Sequence, residues 1–206
     1  LFGLLQFAAM DTGLNAFARA SAEPGRTRAD ARHALSDAGA HWLAGLLAHA
    51  AGMTALCTPT VNGYGRFRPN ALAPQSIIWG QDNRGAMLRV VGAAGDNATR
   101  VENRVGEPAA NPYLYMAAQI HAGLDGIARS LNPPAASEAP YAEGGEKIPT
   151  SLAEGIAALQ ADAALCEGLG DGFVRYFSRI KQSEIDRHAQ AEDKTDGPRV
   201  LLGNEV

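Results

Sequence analysis

Arg100, Glu102 and Arg104 alternate along the run Ala-Thr-Arg-Val-Glu-Asn-Arg-Val at 98–105. On an extended strand, alternate side chains share one face. One carboxylate then stands between two guanidiniums, with same-face neighbours roughly 7 Å apart. Such a row suits two kinds of partner. Arginine forks match carboxylate and phosphate, and a carboxylate suits a hard cation such as Mg2+. The same spacing also describes an ordinary wet strand face crossed by ion pairs. Of the arginines that precede this run, Arg66, Arg84 and Arg89 bear on the same chemistry. Arg66 lies in the loop 60–75 beside Tyr64, Phe67 and Arg68. Aromatic and arginine residues on a loop between ordered elements suit a binding site, as they also suit an exposed basic turn. Arg84 lies in Gln-Asp-Asn-Arg-Gly at 81–85, and Arg89 alternates with Leu88 and Val90. The chain contains no Gly-x-x-x-x-Gly-Lys-Ser/Thr pattern, so a phosphate grip would come from arginines instead. Arg66, Arg84, Arg89, Arg100 and Arg104 would converge from one loop and three neighbouring strands.

The elements that must position these residues follow from periodicity and punctuation. Strands are expected over 76–80, 86–91 and 98–105. Their links, 81–85 and 92–97, are turn-rich and short enough for antiparallel hairpins, with Arg84 at a tip. A Gly-Glu-Pro turn leads from the last strand into a helix over 111–131. Asn111 is its N-cap and Pro112 its first residue. Leu114, Ala117, Ala118, Ile120, His121, Leu124 and Ile127 make its apolar stripe, with His121 read as a packed core histidine. Upstream, a single long helix is expected over 30–57, weakened by Gly39, Gly45 and Gly52. His33, His41 and His49 recur every eight residues along it, about 12 Å apart, and read as surface or rim positions. Downstream, 132–149 is a Pro/Gly/Glu-rich loop whose length suits a functional or flexible segment. A Ser151/Glu154 capping box opens a helix to about 165. A last helix over 172–190 turns Phe173, Tyr176, Phe177, Ile180 and Ile185 inward. The expected class is α+β, an antiparallel sheet backed by several helices.

The 206 residues have an ordinary globular balance, 46% hydrophobic and 19% charged,. A net charge of −4 gives no support to a nucleic-acid or membrane-surface partner. No apolar run reaches the ~18 residues of a membrane span. The apolar start lacks a basic leader and an initiating methionine, which suggests a fragment. Cys57 and Cys166 show no metal-ligand spacing, and two such thiols suggest a reducing, cytoplasmic setting.

The order of these motifs resembles the glutamine synthetase family, in the C-terminal part of its catalytic domain. The motifs are Asn-Gly-Tyr-Gly-Arg-Phe, Asp-Asn-Arg-Gly-Ala-Met-Leu-Arg-Val, Arg-Val-Glu-Asn-Arg-Val, Glu-Pro-Ala-Ala-Asn-Pro-Tyr-Leu and Ala-Gly-Leu-Asp-Gly-Ile. The resemblance divides the chain into a poorly defined segment 1–32, a catalytic-domain part 33–190 and a tail 191–206. It implies an ATP-dependent carboxylate–amine ligase. ATP phosphorylates the γ-carboxylate of glutamate, and ammonia or another amine then displaces phosphate. By resemblance, Arg66 and Arg104 bind the substrate glutamate. Arg84 contacts the transferring phosphate and the glutamyl carboxylate, Arg89 and Arg100 lie at the nucleotide, and Glu102 is a ligand of Mg2+ or Mn2+. A transferring phosphoryl group calls for preorganised positive charge of this kind.

Departures from the family pattern carry expectations of their own. A whole member is about twice this length, and its N-terminal sheet domain and paired-glutamate strands have no counterpart here. Gly3-Leu4-Leu5-Gln6-Phe7 stands where a metal-binding histidine is usual. Leu72 stands where ammonia-using members carry a glutamate, which tilts the reading toward another amine. One carboxylate makes a weak Mg2+ site, so the chain alone is expected to bind metal poorly and to catalyse little. The alternative is a catalytically degenerate or truncated relative with a structural or assembly role. In its full-length form the family implies a homo-oligomer with active sites between subunits of a ring.

Overall fold

Ser36 starts the first helix, its hydroxyl accepting the N–H of Gly39 at 3.0 Å,. The computed structural model describes residues 35–68, 73–93, 96, 98–141 and 145–192. The single helix expected over 30–57 is two: α1 (Asp37–Ala48) and α2 (Ala50–Cys57), bent by 76°. His49 sits at the break with φ −104° and ψ 11°, away from helical geometry. The bend lets α1 pack on α3 (Pro112–Ala128) while α2 packs on α4 (Leu152–Ala161). No single helix among the described residues is long and apolar enough to cross a membrane.

Asn111 caps α3 as expected, its side chain accepting from the N–H groups of Tyr113 and Leu114. The buried face of α3 differs from the expected stripe. It consists of Tyr115, Ala118, Gln119, Ala122, Gly123 and Gly126, while Ile120 and Leu124 are exposed. Close approach to α1 is the reason. A Cβ added at Gly45 would lie 2.2 Å from the Ala122 carbonyl, and one at Gly126 would lie 2.2 Å from that of His41. Backbones this close admit only small residues, so the larger aliphatics are turned outward.

The helix expected over 151–165 is also divided, into α4 and α5 (Ala163–Leu169). Ser151 accepts from the Glu154 N–H at 3.2 Å. Glu154 reaches back to the Thr150 N–H at 2.7 Å, one residue earlier than a capping box would place it. Asp162 breaks the run and caps α5, accepting from the Leu165 N–H at 3.0 Å. The last helix, α6 (Asp171–Glu192), buries Val174, Phe177 and Ser178 and leaves Tyr176 and Ile180 exposed. Its inward face is thus narrower than expected.

Three short strands form one sheet in the order β1 (Trp79–Gln81), β2 (Leu88–Val91), β3 (Arg100–Asn103). The sheet is mixed, not wholly antiparallel. β2 and β3 pair antiparallel, as expected, but β1 and β2 pair parallel, with Trp79 opposite Leu88 and Gln81 opposite Val90. A parallel return normally needs a crossover of a dozen or more residues. Here β1 is three residues long, so the six residues 82–87 can span the way back. Asp82, at φ 47°, turns the chain. Arg84 is therefore at the tip of a return loop and not of a hairpin. Leu88 and Val90 enter the same core as Leu43, Leu46 and Met53 of the first two helices. Residues of the segment 132–149 bond to β1 and to the residues just before it: Ser137 donates to Trp79 O (2.8 Å), Ile77 to Glu146 O (2.8 Å), and Ile148 to Gln75 O (3.2 Å). They cover an otherwise open strand edge.

Candidate active site

The antiparallel register decides the site. Arg89 lies opposite Glu102, and Val91 opposite Arg100. Leu88 and Val90 point to the core, so Arg89, Arg100 and Glu102 share the other face. Glu102 sits between two forks. Its Oε2 accepts from Arg89 Nη1 at 3.1 Å. Its Oε1 accepts from Arg100 Nε at 3.0 Å and lies 2.9 Å from Arg100 Nη2. This is the cross-strand ion pair of the plainer sequence reading, in a half-buried setting. Asp82, which the sequence reading passed over, holds the second nitrogen of the Arg89 fork. Its place in Asp-Asn-Arg, seven residues before Arg89, was the available signal.

Arg104 is half-buried and follows Asn103, the last residue of β3. Its N–H donates to Met87 O at 2.9 Å. Burial lowers the pKa of its guanidinium. Tyr141 and Glu102 oppose that shift, while the charges of Arg89 and Arg84 add to it. Burial also acts to lower that of Arg89, but its bonds to Asp82 and Glu102 outweigh this and hold it above the usual arginine value. Arg84 is exposed at the loop tip, where Gly85 packs against Pro140 and Tyr141. Four guanidiniums thus share this region with the carboxylates of Glu102 and Asp82. Arg89 Nε and Arg104 Nη1 are buried with no hydrogen-bond partner among the described residues. Surplus positive charge and unsatisfied donors together are chemically suited to an anion.

Arg66 contacts the backbone that follows Arg104. It ends a 3-10 turn, Asn62–Arg66, and donates from Nη2 to Val105 O at 2.5 Å and from Nη1 to Gly106 O at 2.9 Å. Its plane lies over Phe67, 5.3 Å from the ring centre. Burial pushes its pKa down against the pull of Glu107 and Tyr115. Glu107 is a buried carboxylate that the sequence reading treated only as part of a turn.

The fit to a metal ion is poor from these residues alone. Both oxygens of Glu102 already accept from guanidiniums, and the described residues contain no group of three or more His, Cys, Asp or Glu able to hold an ion. The segment 3–17 and Leu72 lie outside the described residues, as do His33 and residues 193–206 of the tail; the last helix runs on through 191–192.

His49 corrects another expectation. It is buried, not on a rim. Its Nδ1 lies 2.7 Å from Asp162 Oδ2 and its Nε2 2.8 Å from Asp125 Oδ2, and Arg129 also donates to Asp125 at 2.9 Å. His121 is half-buried, its ring against Gly168 of α5.

A family model described as glutamine synthetase, catalytic domain, matches residues 19–197. The chain belongs to the glutamine synthetase family. Among curated relatives, a gamma-glutamylanilide synthase from Acinetobacter is 45% identical over 159 residues, which is 77% of this chain and 32% of that protein. A glutamine synthetase from Thermus thermophilus is 38% identical over 166 residues, 76% of this chain and 37% of that one. The chain thus spans about a third of the length of these relatives. Among solved structures, a complex of GmaS with ADP superposes with a TM-score of 0.70 at 33% identity, over 80% of this chain and 40% of that one. Apo GmaS gives the same TM-score at 35% identity, over 80% and 38%. The α+β fold is therefore that of a partial glutamine synthetase catalytic domain.

Proposed function

We propose that this chain contributes the arginine face of an ATP-dependent glutamate–amine ligase. The observation that carries the reading is the surplus of guanidiniums around Glu102, with buried donors left open on Arg89 and Arg104. Bound ATP would supply the phosphoryl group that activates the γ-carboxylate of glutamate. Arg84, Arg89 and Arg100 would hold phosphate oxygens, and Arg104 with Arg66 the substrate carboxylate. Preorganised donors of this kind stabilise charge that develops during transfer. Among the described residues, Glu102 is the carboxylate on this face that a Mg2+ or Mn2+ ion could use. It would first have to leave its arginines, and further ligands would come from outside the described residues.

An amine larger than ammonia is the favoured acceptor. Leu72 in place of the family's glutamate supports it, as does the 45% identity to a gamma-glutamylanilide synthase beside 36–39% for the glutamine synthetases. A reducing, cytoplasmic setting and a homo-oligomer with shared sites belong to the same reading; the two free cysteines support the first. The test is glutamate-dependent ADP release by the polypeptide carrying this chain, with ammonia, methylamine and aniline as acceptors and hydroxylamine as a trap. The expected result is γ-glutamyl transfer with an organic amine preferred. Ammonia as the sole good acceptor would end the amine preference, and no amine-dependent turnover would end the ligase reading.

The second reading is a degenerate relative with an assembly role, favoured by the lone, fully paired Glu102. Calorimetry with ATP and Mn2+ separates the two: micromolar binding argues against degeneracy.

A further inference from the structure

Two segments of the chain hold each other beside the arginine face. The first is 57–66, from the end of α2 through the 3-10 turn. The second is 103–107, from the end of β3 into Gly-Glu-Pro. Thr58 Oγ1 donates to Val105 O at 2.9 Å, the Glu107 N–H to Cys57 O at 3.0 Å, and the Arg66 fork to Val105 O and Gly106 O. The Glu107 carboxylate completes the lattice from beneath the turn. Its Oε1 accepts from the Thr60 N–H at 2.9 Å and its Oε2 from the Thr60 hydroxyl at 3.1 Å. That hydroxyl in turn lies 3.0 Å from the Gly63 N–H, which donates to it. There is no room for another side chain: a Cβ at Gly63 would stand 2.2 Å from Glu107 Oε2.

We infer that Glu107 is a positioning residue for the substrate-carboxylate arginines, fixing the Arg66 turn against the backbone that carries Arg104. The inference rests on the ligase reading above. A buried carboxylate is costly unless hydrogen-bonded, and here both its oxygens are spent on Thr60. Among the described residues Arg66 makes no ion pair and is held by two carbonyls, so its position is that of the turn. The turn's position is in turn set by Glu107, three residues beyond Arg104. Misplacing a binding group by a fraction of an ångström weakens binding without touching the chemistry elsewhere. Glu107 should therefore act on glutamate and leave the nucleotide alone.

The test is steady-state kinetics on the polypeptide carrying this chain, with Glu107→Ala, Glu107→Gln and Thr60→Val, each checked by circular dichroism. The expected result is a KM for glutamate raised about tenfold in Glu107→Ala, the scale of a lost charge-assisted hydrogen bond. kcat and the KM for ATP should stay within about twofold. Glu107→Gln, which keeps an acceptor for the Thr60 N–H, should recover most of the loss. Thr60→Val should raise the same KM by a smaller factor and add little to Glu107→Ala, because the two share one contact. If Glu107→Ala does not fold, Thr60→Val still decides. Unchanged glutamate KM in Glu107→Ala, or in Thr60→Val if Glu107→Ala does not fold, overturns the inference. So does a parallel loss of kcat, both KM values and melting temperature, which is the mark of a merely structural role. An unsubstituted protein without turnover overturns the ligase reading, and this one with it.

Discussion

The helical side and the sheet face treat buried charge in opposite ways. At the bend between α1 and α2, His49 finds a carboxylate for each ring nitrogen, Asp162 on one side and Asp125 on the other. A carboxylate at each ring nitrogen favours the doubly protonated ring, and the pKa of His49 is raised,. On the sheet, Glu102 is shared by two arginines, and Arg104 and Arg84 add charge beyond what Glu102 and Asp82 balance. The first region is closed and serves the fold. The second is left electrostatically incomplete, as a site for an anionic ligand must be.

This contrast can be broken at several points, the largest effect first. Gly126→Leu should cost about 4 kcal/mol or prevent folding, since any Cβ there meets the His41 carbonyl,. Urea denaturation checks it, and a wild-type midpoint would mean that α1 and α3 do not cross so closely. Arg104→Ala should lower kcat/KM for glutamate about 100-fold, the upper scale for losing a bond to a charged group, while leaving the unfolding midpoint nearly unchanged. A fall in stability instead would move Arg104 to the structural side of the comparison.

His49→Gln should destabilise the fold by about 2 kcal/mol by leaving Asp125 and Asp162 without their shared cation. The wild type should also show a pH dependence that this variant lacks. The hydrogen bond to Asp162 raises the folded pKa of His49; burial opposes it, and the bond to Asp125 adds to it. The stabilisation is then fully present below the unfolded value of about 6.5 and lost as pH rises through the higher folded value. Thermal melts from pH 6 to pH 9 should show the decline. A flat profile would mean that the ring is not charged. The smallest stability effect is expected from Glu102→Gln, within about 0.5 kcal/mol, because its ion pairs are partly solvated. Turnover should nonetheless fall, as assayed by glutamate-dependent ADP release.

Much of the site was readable because period two is a strong constraint. Once 98–105 is a strand, Arg100 and Glu102 share a face whatever surrounds them. Arg89 was likewise assigned to the face away from Leu88 and Val90. Asp82 and Glu107 escaped notice because each lies in a turn and acts on residues brought near by folding. The stripe of α3 was misread because hydrophobic periodicity rewards large side chains, whereas a close helix crossing rewards Ala and Gly. His49 was misplaced because its two partners lie 76 and 113 residues away.

By itself, then, the sequence determined which residues carry charge, which faces they occupy and where Asn111 and Ser151 begin helices. These are local consequences of backbone geometry and capping chemistry. Only the tertiary structure decided that β1 returns parallel to β2, that the first helix bends at a histidine and that Glu102 meets Arg89 across a strand pair. Those outcomes depend on which distant groups compete for the same hydrogen bond or the same few ångströms of space, and a linear pattern holds no record of that competition.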